Sequence, residues 1–154
     1  MEEQGETRHE FFEGEVFAMA GESIAHNTIA QNFVVALRPA LRGKRCQVIM
    51  ETVQLAVEAN RHYTYPDIVV SCDPQDQQER RRLHHPLLIV EVLSPSTEDY
   101  DRGLKFNQYK KLPSLRTCWY RKKPGWWSGI SWASTASGAT PPWPKPPMPL
   151  LSRS

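Results

Sequence analysis

The chain has no apolar run approaching the roughly 18 to 20 residues that a membrane-spanning helix needs, which argues against an integral helical membrane protein. Its first residues, Met1-Glu2-Glu3-Gln4-Gly5-Glu6, are acidic where a secretion signal is basic, so the expected location is cytoplasmic, away from any membrane. Cysteine is scarce. Cys46, Cys72 and Cys118 lie far apart and form no C-x-x-C pair, so neither a disulfide framework nor a zinc site is expected, and each reads as a small apolar filler. Two absences are local: residues 1–116 hold no tryptophan, and residues 117–154 hold no acid.

What is present fits an ordinary single globular domain: 154 residues, 40% hydrophobic and 23% charged. The net charge of +2 is divided unevenly. All 17 acidic residues lie in 1–116 against 14 Lys and Arg, while 117–154 carry five Lys and Arg, all five Trp and seven of the 13 Pro. The division is therefore 1–116 as the domain and 117–154 as a Pro/Trp-rich tail of different character.

Periodicity outlines an α/β fold. Residues 15–20 form a short strand after the Glu13-Gly14 turn, and residues 23–41 an amphipathic helix, capped by Ser23 and stopped near Gly43. Strands follow at 46–50, 52–57 and 65–71, with a turn at 59–62 and a polar loop over 73–85. Leu87-Leu88-Ile89-Val90-Glu91-Val92-Leu93 is the most apolar run and reads as a central strand covered on both faces. Ser96 or Thr97 then caps a helix ended by Pro113, with Asp101, Lys105 and Tyr109 on one face at i, i+4, i+8.

Glu91 stands out, because a carboxylate inside that apolar run costs several kcal/mol to bury unless cations or donors meet it. Asp67 repeats the pattern against Ile68-Val69-Val70. On adjacent strands the two would come within reach of one divalent ion. Lys105 is the natural third member, able to stabilise charge developing on a phosphate. Its substitution by alanine is expected to slow turnover and leave the fold intact. His84-His85 is set aside as a metal pair because neighbouring side chains on an extended segment point opposite ways.

Arg8-His9-Glu10-Phe11-Phe12-Glu13-Gly14-Glu15-Val16, His26, Tyr65 through Val70, Pro86 through Thr97, and Asp101 through Phe106 with Tyr109 together resemble the Uma-two family. Its members are widespread in bacteria and belong to the PD-(D/E)XK, restriction-endonuclease-like nuclease superfamily. The resemblance covers about residues 7–116. It implies a restriction-endonuclease-like mixed sheet flanked by helices, Mg²⁺ or Mn²⁺ as cofactor and DNA as partner, with a homodimer left open. Residue by residue it makes Asp67 and Glu91 the metal carboxylates, with the Val92 carbonyl as an extra ligand and Glu15 and His26 as accessory groups. The superfamily lysine would stand at Leu93, so the resemblance moves that role to Lys105.

After Leu115-Arg116 the family would continue with further strands, whereas this chain turns to Cys118-Trp119-Tyr120 and then Trp126-Trp127. Regrouping the codons one nucleotide upstream makes Cys118 apolar, Trp119 leucine and Tyr120 valine. Residues 117–154 thus read as a frameshifted translation or as a genuine Pro/Trp-rich tail, with the C-terminal strands of the sheet lost. The functional expectation is a Mg²⁺-dependent endonuclease. The alternative is a non-catalytic or decayed relative acting as a nucleic-acid-binding or assembly module, suggested by Leu93 and by the acidic balance of residues 1–116.

Overall fold

The computed structural model describes residues 9–18, 21, 23–50, 53–58, 61–112, 116–123 and 126–134. Arg8, the strand end at Met19 and Ala20, the strand start at Thr52, the turn at Ala59 and Asn60, the helix stop at Pro113 and the Pro-rich stretch after residue 134 lie outside them.

Among the described residues the strands form two five-stranded sheets. The first runs β2 (Glu15–Ala18), β1 (His9–Phe12), β5 (His62–Thr64), β4 (Gln54–Glu58) and β7 (Arg82–Leu83). The second runs β10 (Trp126–Ser134), β9 (Arg116–Lys123), β8 (Pro86–Leu93), β6 (Ile68–Ser71) and β3 (Gln47–Met50). Glu13 and Gly14 join β1 to β2 with φ of 47° and 97°, the two positive values that a tight primed hairpin turn requires and that glycine supplies without strain.

Helix α1 (Ile24–Ala40) begins where Ser23 Oγ accepts the His26 N–H at 3.1 Å, so the expected cap places His26 in the first turn. Ile29, Ala30 and Val34 then pack with Leu88, Val90 and Val92 of β8 and with Ile68 and Val70 of β6. The opposite parity of β8 faces a second cluster, in which Ile89 joins Val69, Leu55, Leu83, Tyr109 and Leu112. Glu91 shares the parity of Ile89. Strand β8 is thus covered on both faces, as its composition requires. It connects to the parallel β9 through α2 (Glu98–Tyr100), a wide π turn (Asp101–Lys105) and α3 (Phe106–Tyr109).

The structure corrects three expectations. Cys46 and Cys72 are bonded in a disulfide; the ladder pairs Gln47 with Ser71, and one step further sets the two cysteines opposite each other, with Cα atoms 4.0 Å apart. Cys118 remains a buried thiol, its pKa pushed by burial up to about 12. The C-terminal strands are not lost: β9 pairs with β8 from Leu88↔Arg116 to Leu93↔Arg121, and β10 pairs antiparallel with β9. Thr117, Cys118 and Tyr120 are strand formers and are buried, and Cys118 and Tyr120 close the α1 side of the core. The sheet therefore runs across residue 116, where the composition changes. Third, the turn expected at 59–62 runs into β5 at His62, the strand expected from Tyr65 begins at Ile68, and the polar loop expected over 73–85 contains β7. Among the described residues no helix is long and apolar enough to cross a membrane.

The loop after β6 is fastened by Asp76. Its Oδ1 accepts the His84 N–H at 2.8 Å, and its Oδ2 accepts the His85 N–H at 3.0 Å and the Ser71 hydroxyl at 2.7 Å. Burial works to raise this carboxyl, but the three donors outweigh it and hold it below its ordinary value. Asp76→Ala strands those donors and should cost about 2–3 kcal/mol, visible as a lower urea midpoint. Because the folded pKa is depressed, the contribution is present above the unfolded value of about 3.9 and is lost as pH falls through the folded one. The gap between wild type and variant should therefore narrow in acid.

Candidate active site

Register brings the two sequence-flagged carboxylates together. Strands β6 and β8 are antiparallel with Ile68 opposite Val90, so Asp67, one step before β6, comes opposite Glu91. The Asp67 N–H donates to Glu91 Oε2 at 3.3 Å. Asp67 Oδ2 accepts the Val92 N–H at 2.6 Å, and its Oδ1 lies 3.1 Å from His26 Nε2. Glu91 is 1% exposed, and its Oε1 accepts the Tyr109 hydroxyl at 2.6 Å.

The crossover supplies the cation. Lys105 closes the π turn, the kind of local widening that is frequent at functional sites. Its Nζ lies 3.1 Å from Glu10 Oε1, 3.4 Å from Asp101 Oδ1 and 3.6 Å from Glu91 Oε1, with the Tyr100 ring centroid at 5.6 Å. Glu10 reaches the cluster from β1. Phe11 pairs with Tyr63, so Glu10 falls beside Thr64; its Oε1 accepts the Thr64 hydroxyl and, at 3.1 Å, the Tyr65 N–H, and its Oε2 accepts the Tyr100 hydroxyl at 2.8 Å.

These contacts set the proton affinities. Burial pushes the Glu91 carboxyl well above the usual carboxylate range; Lys105 opposes the rise, while Asp67 and Asp101 add to it. Burial raises Asp101 as well, against the pull of Lys105. Burial alone would lower Lys105, but Glu91, Tyr109, Glu10 and Asp101 hold its ammonium well above the ordinary lysine value. Glu10 is raised by burial and brought below its ordinary value by Lys105 and by the Thr64, Tyr65 and Tyr100 donors.

Three carboxylates, Glu10, Glu91 and Asp101, therefore surround one lysine, with Asp67 beside Glu91, a set of hard oxygen donors of the kind a divalent cation takes. Among the described residues no group of three or more His, Cys, Asp or Glu is arranged to hold a metal. The Asp67–Glu91 pair matches the habit of Mg²⁺, which takes one or two carboxylates and completes its shell with water and substrate phosphate.

Of the residues singled out in the sequence, Asp67, Glu91, Lys105 and His26 come together, and Val92 contributes its N–H to Asp67. Glu15 does not join them. It is exposed on β2, opposite Phe12 beside the hairpin turn, and the hairpin carboxylate that enters the cluster is Glu10, whose parity points inward. Lys105 faces three buried carboxylates, so a substitution there is expected to cost stability as well as turnover. His84 and His85 hold Asp76 through their backbones, away from this cluster.

A profile of the Uma2 family, described as "Putative restriction endonuclease", matches residues 1–124. The chain is 38% identical over 115 residues to one uncharacterized protein of Synechocystis, covering 75% of this chain and 60% of that protein. It is 29% identical over 117 residues to a second, covering 75% of this chain and 66% of that one. The chain thus spans less than two thirds of the length of these relatives. Among solved structures it is similar to a putative nuclease belonging to DUF820 from Anabaena variabilis, with a TM-score of 0.65 at 16% identity over 90% of this chain and 83% of the other. At that identity the likeness establishes a shared fold.

Proposed function

Since the chain belongs to the Uma2 family, we propose that it is a metal-dependent endonuclease that hydrolyses DNA phosphodiester bonds. The observation that carries this reading is the meeting of Asp67 and Glu91, from adjacent strands, with Lys105 Nζ 3.6 Å from Glu91.

Asp67 and Glu91 would hold Mg²⁺ or Mn²⁺, with the Val92 carbonyl as a further oxygen donor. When bound, the ion supplies Lewis-acid polarisation of a phosphate oxygen and a more acidic water. Lys105 keeps its charge beside the carboxylates and offers an ammonium to the negative charge that builds on the phosphate during attack. His26 Nε2, 3.1 Å from Asp67 Oδ1, would steady that carboxylate. A homodimer would match the two-fold symmetry of duplex DNA, with one site for each strand. The proposed place of action is the cytoplasm.

The test is incubation of the purified protein with supercoiled plasmid. Nicked or linear product should form with Mg²⁺ or Mn²⁺, stop on addition of EDTA and resume when Mg²⁺ is restored. Retarded DNA that stays intact with either metal would favour the non-catalytic binding module instead.

A further inference from the structure

Lysine is a flexible carrier of charge, with three donors on a stem of four rotatable carbons, and in this chain it stands on a helical turn, since Leu93 occupies the strand position two residues beyond Glu91. Something must hold the ammonium in place. Asp101 is four residues away on the same helical segment and moves with it. Glu91 makes the longest of the three contacts, 3.6 Å. Glu10 differs from both. It lies on β1, in the other sheet, and it makes the shortest of the three contacts, 3.1 Å. It is itself immobilised by donors from three further residues: the Thr64 hydroxyl, the Tyr65 N–H and the Tyr100 hydroxyl. Glu10 is 4% exposed and Lys105 6%, so the contact is closed to solvent and only weakly screened.

We propose that Glu10 is the positioning residue of the site: braced by Thr64, Tyr65 and Tyr100, it holds the Lys105 ammonium beside Glu91 and so fixes the lysine that acts on the scissile phosphate. The proposal rests on the endonuclease reading for its last clause only. Tyr100 belongs to the same brace, because its hydroxyl bonds Glu10 while its ring lies against the ammonium. The first sheet thereby contributes to the site through its hairpin, although neither metal carboxylate comes from it.

Two measurements on the full chain test this. In metal-dependent plasmid cleavage, Glu10→Gln should lower kcat about tenfold or more, as expected for a displaced catalytic group, and leave KM for DNA unchanged. Glu10→Asp, which keeps the charge on a shorter arm, should recover part of the loss. An unchanged kcat in Glu10→Gln, or a loss confined to KM, overturns the proposal. The second measurement needs no activity: wild type and Glu10→Gln, both shown to be folded by circular dichroism, are treated with the amine reagent succinimidyl acetate and the acetylated sites are read by mass spectrometry. Lys105 should be protected in wild type and modified in the variant, with Lys110 and Lys111, which are exposed, modified alike in both. Equal protection of Lys105 in the two proteins overturns the positioning role. If the wild type does not cleave DNA but Lys105 becomes reactive in the variant, the endonuclease reading fails and the brace stands.

Discussion

Replacing Lys105 by methionine is expected to destabilise the protein by about 3–5 kcal/mol at neutral pH, the usual consequence of removing one partner from a buried charge cluster. The methionine stem fills nearly the same volume, so the loss is electrostatic rather than steric. Glu10, Glu91 and Asp101 would be left facing one another with no cation among them. A loss of that size is a large part of the 5–15 kcal/mol that holds a typical domain folded. Its pH dependence identifies the cause. With the ammonium gone, the Glu91 and Asp101 carboxyls, already raised by burial, rise further, and Glu10 loses the cation that helps hold it down. Protonation then favours the folded form, and the variant should recover stability as pH falls and lose it as pH rises through the carboxyl range. The Asp76 variant behaves differently in acid, because there the wild type is the protein that loses stability. Urea melts of the Lys105→Met protein at neutral and acidic pH measure the effect. Equal midpoints for wild type and variant at neutral pH would show that the cluster is balanced in some other way.

Much of this arrangement is legible in linear sequence. The run from Leu87 to Leu93 declares a strand with both faces buried, and a carboxylate within it must be compensated. The Asp101, Lys105 and Tyr109 spacing places a cation and a hydroxyl on one helical face, and both reach Glu91. What stays hidden depends on pairing between distant segments. Glu10 gains its role only because β1 lies beside β5, fifty residues on, and His62–Thr64 is too short to announce itself as a strand. The Cys46–Cys72 bridge likewise follows from the β3–β6 register, which spacing alone does not give. Residues 116–134 fail for another reason. Their composition departs from the rest of the chain, yet parallel pairing to β8 asks chiefly for β-branched and aromatic residues, and Thr117, Trp119 and Tyr120 meet that demand.

The larger functional effect is expected at Glu91. Glu91→Gln removes one of two carboxylates proposed to hold the ion, and metal-dependent cleavage should fall about a thousandfold or more, since both the ion and its water are lost from the reaction. The same substitution should not harm the fold. Burial already drives this carboxyl toward its neutral form, and a glutamine oxygen can still accept from Tyr109 or from the Asp67 N–H. Function and stability should therefore move apart, as they do where a group is kept for chemistry at the expense of the fold. Asp67→Asn should reduce cleavage comparably.

The most direct measurement is single-turnover cleavage of plasmid DNA by wild type and Glu91→Gln at saturating Mg²⁺, with the melting temperature recorded on the same samples. The endonuclease account predicts a variant that melts at or above the wild-type temperature and leaves the DNA intact. A folded Glu91→Gln protein that cleaves at the wild-type rate would contradict it.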